Sequence, residues 1–375
     1  MRIAYIAVKG IPIGGGIEKV TEEVGSRLVA KGHKVIVYSS RDYGTTDGIF
    51  KGMEIRTVPS INTKSFHKLS ICFLATLDIM HRREADIVHV HAVGPSVFSI
   101  FPRLVGIPTV VQAHGVEWQR DKWGFIGKTF LKLSDYTVAY FPTKSTAVSK
   151  VQKAYYEQRF GREIVYIPNG VAPVEKKPAK WILEQGLAPN RYILFAARLV
   201  EEKGAHFLIK AFRKLDTDMK LVIAGDAAHM DHYKTRLREL SGNDPRILFP
   251  GFVTGEPLQE LFSNAYLFCL PSTLEGLPVA LLDAMNYGNC CISSDIPENL
   301  EALETHGYTF RNRDAEDLHR VLNDLIMHPD KVVEKKTAAL EHVRKNYSWD
   351  RVTDQMEGLY MKVINSNRET RSAKR

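Results

Sequence analysis

Residues 270–288 read LPSTLEGLPVALLDAMNYG, and this segment carries the strongest signal of fold and function in the chain. An apolar strand is followed by a loop with Glu275 and by a helix in which Pro278 occupies the first turn and Gly288 marks the end. Asp283 comes eight residues after Glu275 and is expected on the second turn. The N-terminus of a helix favours an anion, and two carboxylates beside it would repel that anion unless they contact something else. Glu275 and Asp283 are therefore predicted to contact hydroxyl groups of a ligand. Helix capping by Glu275 is the alternative.

A similar strand, loop and helix precede this segment. The predicted strand Tyr192–Ala196 is followed by Arg198, and Lys203 lies just ahead of a helix that Gly204 opens. Acids rather than bases normally stabilise a helix N-terminus. Two cations at this position therefore predict an anion site, and a diphosphate suits them well. Surface charge near a helix cap is the alternative.

Short β-branched strands alternate with amphipathic helices along the chain, which predicts doubly wound parallel α/β sheets. The alternation breaks at Ala172–Lys180, a linker rich in proline and lysine. We expect two Rossmann-like domains facing a central cleft, residues 1–172 and 173–350, with a C-terminal helix at about 351–375 packing back on the first. The predicted strands are Ile3–Val8, Val35–Tyr38, Ile87–Val90, Thr109–Val111, Thr137–Ala139, Val165–Ile167, Tyr192–Ala196, Leu221–Ala224, Ile247–Phe249, Tyr266–Leu270 and Cys291–Ser293.

Two further loops follow predicted strands, where open parallel sheets bind ligands. The first is KGIPIGGGIEKV, in which Gly15 and Gly16 let the backbone approach a ligand at the start of a helix. Its spacing is neither GxGxxG nor that of a P-loop, and a flexible turn is the alternative. The second contains His114 followed by Gly115. His114 is a candidate site residue, with a purely structural histidine as the alternative.

The net charge of +8 and the sequence pI near 9.1 indicate an anionic partner. A phosphate-bearing small molecule or an anionic membrane fits, and nucleic acid is not expected because no recognition motif is present. The four cysteines predict buried free thiols, with a disulfide between Cys290 and Cys291 as the alternative. The apolar stretch ICFLATLDIM is too short for a membrane span and contains Asp78, so neither a transmembrane helix nor a secretory signal is expected.

Together these motifs resemble the retaining glycosyltransferases of family GT4, which have the GT-B fold. The family frame P-S-x-x-E-G-x-P-x-x-x-x-E-A-M-x-x-G reads PSTLEGLPVALLDAMNYG here, so Asp283 replaces the second Glu. The similarity extends over nearly the whole chain and includes GGGIE, AHGVEW, IPNGV, ARLVEEKG and PGFV. Asp283 is one methylene shorter than Glu, which puts its ligand contact in question more than the fold.

The resemblance implies a role for each candidate residue. Glu275 and His114 would be the catalytic residues at the transferred sugar. The implied donor-binding residues are Gly15, Gly16, Arg198, Lys203, Val253, Leu277, Pro278 and Asp283. Of these, Arg198 and Lys203 would bind the donor diphosphate, helped by the backbone amides of Gly15, Gly16, Leu277 and Pro278. In the segment 117–124, EWQRDKWG, the acceptor-side candidates are Trp118, Arg120 and Lys122, and an amphipathic helix with aromatic packing is the alternative.

The implied activity is retaining transfer of a sugar, without metal or other cofactor, from a nucleotide-diphosphate sugar to a glycan or lipid-linked acceptor. Bacterial surface polysaccharide synthesis in the cytoplasm is the implied setting. Lys64, Lys68 and Arg82 with Arg83 would allow peripheral contact with an anionic membrane at the inner face of the plasma membrane; a solvated helix face is the alternative. A nucleotide-sugar epimerase of the same architecture and a non-catalytic nucleotide-sugar binding protein are the competing functions.

Overall fold

The computed structural model describes residues 1–12, 15–43, 46–61, 67–120, 123–226 and 231–373. The chain divides into two compact units. The first is formed by Met1–Gly170 together with Trp349–Arg375, and the second by Val171–Ser348. Each unit contains a mostly parallel β-sheet and the helices that connect its strands.

The strands described in the first unit are β1 (Arg2–Ile6), β2 (Lys34–Ser40), β3 (Gly48–Phe50), β4 (Met53–Val58), β5 (Ile87–His91), β6 (Thr109–Ala113), β7 (Lys144–Ala147) and β8 (Ile164–Tyr166). They form one sheet in the order β3-β4-β2-β1-β5-β6-β7-β8. The β3–β4 pair is antiparallel, and the other pairs are parallel. The strand order reverses between β1 and β5, where sheets of this kind bind ligands beyond the carboxyl ends of the strands.

The strands described in the second unit are β9 (Tyr192–Ala196), β10 (Lys220–Ala224), β11 (Ile247–Gly251), β12 (Leu267–Leu270), β13 (Cys290–Ser294) and β14 (Tyr308–Phe310). Their order is β11-β10-β9-β12-β13-β14, with parallel pairing throughout the described residues. Counted along the unit this is the Rossmann order 3-2-1-4-5-6, so the reversal lies between β9 and β12.

Helices connect the strands of both units. They are α1 (Gly16–Ala30), α2 (His67–Arg82), α3 (Ile100–Leu104), α4 (Phe125–Tyr140), α5 (Lys150–Phe160), α6 (Trp181–Glu184), α7 (Ala205–Phe212), α8 (Asp231–Ser241), α9 (Gly255–Asn264), α10 (Val279–Asn286), α11 (Pro297–Leu303), α12 (Ala315–Met327), α13 (Pro329–Asn346) and α14 (Trp349–Ser372).

The C-terminal helix α14 packs on the first unit, against α1 and the turn that follows it. Lys31 Nζ lies 2.6 Å from a carboxylate oxygen of Asp354 and 2.6 Å from one of Glu357. His33 Nε2 lies 2.7 Å from the other Glu357 oxygen. On the buried side of α14, Tyr360 is fully enclosed. The end of the chain thus completes the unit in which the chain begins.

The predicted α/β architecture with two parallel-sheet domains is confirmed, and most predicted strands lie within two residues of the observed bounds. The strand predicted at Thr137–Ala139 is wrong, because these residues belong to α4 and the strand comes later, at Lys144–Ala147. A short β-branched run does not separate strand from helix, whereas buried positions spaced i, i+3, i+4 and i+7 identify a helix. In α4 these are Leu131, Ser134, Asp135 and Val138.

All four cysteines are buried and free, so the free-thiol prediction is confirmed and the alternative of a Cys290–Cys291 disulfide is wrong. Cys269 and Cys290 lie in the apolar core of the second unit, and Cys72 lies in that of the first. None of the helices in the described part of the chain combines the length and the apolar character that crossing a bilayer requires.

Candidate active site

The reversal of strand order in the second unit brings two loops together. β9 and β12 are neighbours in the sheet, and the loops at their carboxyl ends meet at Gly204. This residue has φ +71°, and a Cβ there would lie 1.9 Å from the carbonyl oxygen of Pro271. The backbone N–H of Thr273 donates to the carbonyl oxygen of Glu202 at 2.8 Å. A glycine is therefore required where the two loops cross.

The two loops hold an ion pair at the crossing. Lys203 Nζ lies 2.5 Å from Glu275 Oε1, and the two side chains are only 14% and 7% exposed. Removing a charged pair from water costs desolvation free energy, which good geometry offsets only in part. A buried pair at the carboxyl end of a sheet, in the place where such sheets bind ligands, is therefore a candidate for function rather than for stability.

Arg198 lies two residues beyond the carboxyl end of β9, at the same end of the sheet as the ion pair. Its side chain is exposed, and Nη2 is 3.7 Å from Glu202 Oε1. An exposed pair at this distance contributes about 0–1 kcal/mol. The guanidinium can therefore turn toward an anionic ligand at small cost, in keeping with the expected diphosphate contact.

The helix that follows Glu275 begins at Val279. Pro278 precedes α10 as its N-cap residue, with φ −76° and ψ 82°, instead of occupying the first turn. Because proline has no backbone N–H, the expectation that an amide of Pro278 binds phosphate is wrong. The N–H groups of the first turn, at Val279 and Ala280, have no acceptor within the helix. Leu277 is buried beside them.

Asp283 and Val253 are the remaining donor-side candidates of the second unit. Asp283 is half-buried on the second turn of α10, as predicted. Gly288, with φ +72°, follows the end of that helix. Val253 is half-buried two residues beyond β11, next to the exposed Phe252. Since β10 separates β11 from β9, Val253 lies further along the sheet edge than the Lys203–Glu275 pair.

In the first unit, the loop after β1 leads into α1 through Gly15, whose backbone is extended. Gly14 lies outside the described residues. A Cβ on Gly15 would lie 2.2 Å from Glu18 Oε2, and Glu18 Oε1 accepts a hydrogen bond from the backbone N–H of Lys9 at 3.2 Å. The buried Glu18 carboxylate thus uses the favourable end of the helix dipole. A phosphate expected beside Gly15 and Gly16 would be repelled by it.

A cluster of histidine and tyrosine side chains lies at the reversal of strand order in the first unit. His114, one residue beyond β6, has its Nε2 3.3 Å from Nδ1 of His91. The ring of His91 stacks on His89 with centroids 4.2 Å apart. Tyr5 makes edge contacts with both rings, and His89 Nδ1 is hydrogen-bonded to the hydroxyl of Tyr360.

The burial of this cluster sets its protonation. Burial lowers the pKa of His114 to about 3, with a smaller effect from the charge of Lys68. Burial likewise lowers the pKa of His89 to about 3 and that of His91 well below its usual value. All three imidazoles are therefore neutral at pH 7. His114 was a predicted site residue, but His89 and His91 were not. The His-x-His spacing in β5 was the available signal, since alternate residues of a strand face the same side of the sheet.

The segment after His114 is a short 3-10 turn, Glu117–Gln119. Trp118 Nε1 donates a hydrogen bond of 3.1 Å to Asp135 of α4. The hydroxyls of Tyr155 and Tyr156 donate to the same carboxylate at 2.8 and 2.9 Å. Burial raises the pKa of Asp135, and these hydrogen bonds act in the opposite direction. The indole of Trp118 therefore fixes the His114 loop to α4.

The other basic candidates of the first unit are placed as follows. Arg120 Nε lies 3.5 Å from Glu117 Oε1, and Arg82 Nε lies 2.8 Å from Asp78 Oδ1 one turn earlier in α2. Lys68 is in the first turn of α2, and Arg83 is exposed just beyond its end. Lys122 and Lys64 lie outside the described residues.

Two features bear on metal binding. Glu304, His306 and His342 have possible ligand atoms within 4.8 Å of one another, as no other described His, Cys, Asp or Glu cluster does. The expectation of metal-independent transfer rested in part on the absence of an Asp-x-Asp motif, which metal-dependent transferases use to hold a cation. That part is wrong, because the sequence contains one Asp-x-Asp, residues 216–218. It precedes β10, at the amino end of the sheet, and Asp218 pairs there with Arg191. This motif therefore lies at the amino ends of the strands, whereas Lys203 and Glu275 lie at their carboxyl ends.

Two family models match the chain. The model described as "Glycosyltransferase Family 4" matches residues 14–175, and the model described as "Glycosyl transferases group 1" matches residues 181–342. Together they cover most of both units and all the candidate residues of the second unit.

Curated relatives carry glycosyltransferase names. The alpha-maltose-1-phosphate synthase of Mycolicibacterium smegmatis is 24% identical over 328 residues, which are 77% of this chain and 82% of that protein. The UDP-Gal:alpha-D-GlcNAc-diphosphoundecaprenol alpha-1,3-galactosyltransferase of Escherichia coli is 24% identical over 350 residues, 87% of this chain and 89% of that protein.

The fold is shared with solved structures. Anabaena HepE, crystallised with UDP and glucose, superposes with a TM-score of 0.81 at 18% identity, covering 96% of this chain and all of that one. Fold, family models and named relatives agree. The chain belongs to glycosyltransferase family 4 and is a glycosyltransferase with the GT-B fold.

Proposed function

We propose that this enzyme transfers a sugar from a nucleotide-diphosphate sugar to a glycan or lipid-linked acceptor, with retention of anomeric configuration and without a metal. The second unit, around residues 173–350, would bind the donor, and the first unit, around residues 1–172 with the C-terminal helix, would bind the acceptor. The observation that carries the proposal is the buried ion pair of Lys203 with Glu275 at the strand-order reversal of the second unit.

The donor diphosphate is assigned to Lys203 and Arg198, with the backbone N–H groups that begin α10. A cation at this point neutralises the diphosphate in the ground state and stabilises the charge that builds on it as the glycosidic bond breaks. The N-terminus of α10 adds a fixed positive potential. This clamp supplies the stabilisation that a divalent cation would otherwise provide.

Glu275 and His114 are assigned to the transferred sugar. The second carboxylate oxygen of Glu275 can accept hydrogen bonds from sugar hydroxyls while Lys203 holds the first. The neutral His114 ring can donate or accept at a hydroxyl without adding charge. Gly15 and Gly16 would let the backbone approach the donor, with Glu18 meeting its hydroxyls. Retention is consistent with transfer on one face of the sugar, where the leaving phosphate takes the acceptor proton.

The nucleoside is assigned to Asp283 and Val253. The carboxylate of Asp283 would accept from the ribose hydroxyls, either directly or through a water because it is shorter than Glu. Val253 would lie beside the base and contact it through its backbone. Both residues are half-buried, which allows ligand contact.

One relative supports the acceptor class. The name of the E. coli relative gives UDP-galactose as donor and a diphosphoundecaprenol-linked sugar as acceptor. We assign this chain to bacterial surface polysaccharide synthesis, in the cytoplasm and at the inner face of the plasma membrane. A net charge of +8 favours approach to an anionic surface.

A donor and acceptor screen tests the proposal. The purified protein is incubated with UDP-, GDP-, dTDP- and ADP-sugars, with and without membrane lipid extract, while nucleotide release and product mass are followed. Acceptor-dependent nucleotide release that is lost in Glu275→Gln supports the proposal. An isomerised donor formed without acceptor would instead identify an epimerase, and inversion at the anomeric carbon would refute retention. Activity that is abolished by a chelator and restored by a divalent cation would refute metal independence.

A further inference from the structure

Three side chains that can bind a metal converge at a second place in the second unit. Glu304 and His306 belong to the turn, residues 304–307, that joins α11 to β14, and His342 belongs to α13. Each side chain offers one ligand atom, and the three atoms lie within 4.8 Å of one another. We call these three side chains the His–Glu cluster.

The backbone of the turn places two of the ligands close together. Glu304 directly follows α11 with φ +47° and ψ −116°, and its N–H donates to the carbonyl oxygen of Leu300 at 2.8 Å. The N–H of His306 donates to the carbonyl oxygen of Leu303 at 2.8 Å. A positive φ is uncommon for a residue with a side chain and is concentrated at functional positions. The tight turn thus presents a carboxylate and an imidazole to α13.

The third ligand comes from the buried side of α13. The side chain of His342 is only 4% exposed, and Ala339 and Val343 are buried on the same side of the helix. The rings of His306 and His342 have centroids 4.5 Å apart, and Glu304 Oε2 lies 3.5 Å from His342 Nδ1. A fixed buried ligand therefore meets two ligands that are nearer to solvent.

The hydrogen bonding of His342 shows what faces the carboxylate. The side-chain amide nitrogen of Asn346 lies 3.1 Å from His342 Nδ1. An amide N–H donates, so Nδ1 accepts and presents a lone pair. The nearby Glu304 oxygen also presents lone pairs, and no hydrogen lies between the two atoms. A proton on Nδ1 would oppose the Asn346 N–H and place a charge on a buried ring. A metal cation bound by both atoms avoids this cost, because metals bind the neutral imidazole.

The ligand types select the class of metal. Imidazole nitrogens with one carboxylate suit Zn²⁺, whereas Mg²⁺ and Ca²⁺ prefer oxygen ligands. Zinc–ligand distances of about 2.0–2.2 Å place the ligand atoms of a tetrahedral site about 3.4 Å apart. The 3.5 Å between Glu304 and His342 is close to this separation. A shift of about 1.5 Å or less at His306 brings all three atoms to it.

We propose that Glu304, His306 and His342 bind one Zn²⁺, with a water in the fourth position. The metal fixes the turn before β14 to the C-terminal half of α13. Just beyond α13, the carbonyl oxygen of Tyr347 accepts from the N–H of Val171 at 2.6 Å. The metal therefore stabilises the second unit close to the point where its two ends meet.

The proposed zinc site is independent of sugar transfer. The turn lies at the amino end of β14, whereas Lys203 and Glu275 lie at the carboxyl ends of β9 and β12. The role of the metal is stability, which follows from binding to the folded chain alone. His306→Gln should therefore keep the kcat/KM of the unmodified protein, which distinguishes this site from a metal that takes part in transfer.

Zinc titration of the full chain tests this inference without any sugar donor. The protein is prepared without a histidine tag and freed of metal, and Zn²⁺ is added in competition with a chromophoric chelator. The unmodified protein should bind one equivalent, and Zn²⁺ at about a hundredfold its Kd should raise Tm by about 5 °C. Glu304→Gln and His306→Gln change side chains that are not deeply buried, so both variants should fold. Each should bind Zn²⁺ at least about tenfold more weakly.

The matched control is His328→Gln in the same unit. Nδ1 of His328 lies 3.1 Å from a carboxylate oxygen of Asp324, but the pair belongs to no cluster of three ligands among the described residues. This variant should bind Zn²⁺ like the unmodified protein, and so should Glu275→Gln, whether or not sugar is transferred. An unmodified protein that binds no Zn²⁺ would overturn the inference, as would unchanged affinity in Glu304→Gln and His306→Gln. An equal loss in His328→Gln would also overturn it and assign the binding to surface histidines.

Discussion

Lys203 Nζ lies 2.5 Å from Glu275 Oε1 although 72 residues separate them in the chain. The contact exists because β9 and β12 are adjacent and because Gly204 lets their loops cross without a side chain between them. One loop therefore brings a cation and the other a carboxylate to a single point at the carboxyl edge of the sheet. Under the proposed function, the cation meets the donor diphosphate and the carboxylate meets the transferred sugar.

The Lys203–Glu275 pair should serve activity more than stability. Lys203→Met or Glu275→Gln alone leaves the other charge buried without its partner and should lower the free energy of unfolding by about 3 kcal/mol. The double variant should recover most of that loss, because two neutral side chains replace the pair. Each of the three proteins should nevertheless lose at least about a hundredfold in kcat/KM. Urea denaturation and steady-state kinetics measure the two effects separately.

A double variant that keeps substantial activity would show that the ion pair is structural. Single variants that are as stable as the unmodified protein would show that the pair is well solvated, which contradicts its burial.

Gly204→Ala should disrupt the crossing of the two loops. Its Cβ would meet the Pro271 carbonyl oxygen, and its φ of +71° is unfavourable for alanine. Gly255→Ala is the matched control, since Gly255 has φ +61° but a Cβ there meets no described atom within 4 Å. The control should lose about 1–2 kcal/mol of stability from backbone strain. Gly204→Ala should lose about 1–3 kcal/mol more, together with most of the activity. If Gly204→Ala and Gly255→Ala lost the same stability in thermal unfolding and the same activity in kinetic measurements, the close approach of Gly204 to the Pro271 carbonyl oxygen would be refuted.

The histidine cluster should make stability fall in acid. The unfolded histidines titrate near pH 6.5, whereas burial lowers the folded pKa of His89 and of His114 to about 3. Between these values the unfolded chain binds protons that the folded chain does not. The free energy of unfolding should therefore decrease as pH falls from about 6.5 toward 3, by up to about 1.4 kcal/mol per pH unit for each histidine.

His89→Gln removes one of these groups while keeping a polar side chain beside Tyr360. Urea denaturation at pH 7, 6 and 5 should give a smaller loss of stability per pH unit in this variant than in the unmodified protein. The same slope in both proteins would mean that His89 is protonated equally in the folded and unfolded chains.

Asp135→Asn should loosen the loop that follows His114. The carboxylate accepts from Trp118, Tyr155 and Tyr156, whereas an amide has a single acceptor oxygen and brings its own donors. The variant should lose about 1–3 kcal/mol of stability, and the indole of Trp118 should become more accessible to a fluorescence quencher. Tyr155→Phe removes one donor and keeps the carboxylate, so it should lose about 1 kcal/mol with little change in quenching. Equal quenching of Asp135→Asn and the unmodified protein would contradict the role of this contact.

Periodicity and motif order predicted most of the fold. They failed where local signals were short. Thr137–Ala139 resembles a strand only if its flanking residues are ignored, and the helical spacing of the buried residues in α4 decides the matter. β3, β4 and β14 were not predicted; β3 and β14 are three residues long, and β3 gains its pairing only from the hairpin with β4. Such strands depend on neighbours that a local pattern does not contain.

The candidate site was predicted residue by residue but not as an arrangement. Arg198, Lys203 and Glu275 follow strands, and this places them at one edge of the sheet. The 2.5 Å contact of Lys203 with Glu275 depends on which strands are adjacent, which spacing along the chain does not give. His91 and Glu18 were missed because each looks like part of a strand or helix until its buried contacts are known.

Titration calorimetry of the nucleotide sugar identified in the donor screen tests the central claim, that the crossing of the β9 and β12 loops holds the donor. The protein is compared with Lys203→Met and with Lys214→Met, which removes an exposed lysine of the same unit that pairs with Glu316. Lys203→Met should weaken donor binding at least about tenfold, or about 1.4 kcal/mol, while Lys214→Met should bind like the unmodified protein. Equal affinity of Lys203→Met and the unmodified protein would place the donor elsewhere and contradict the account.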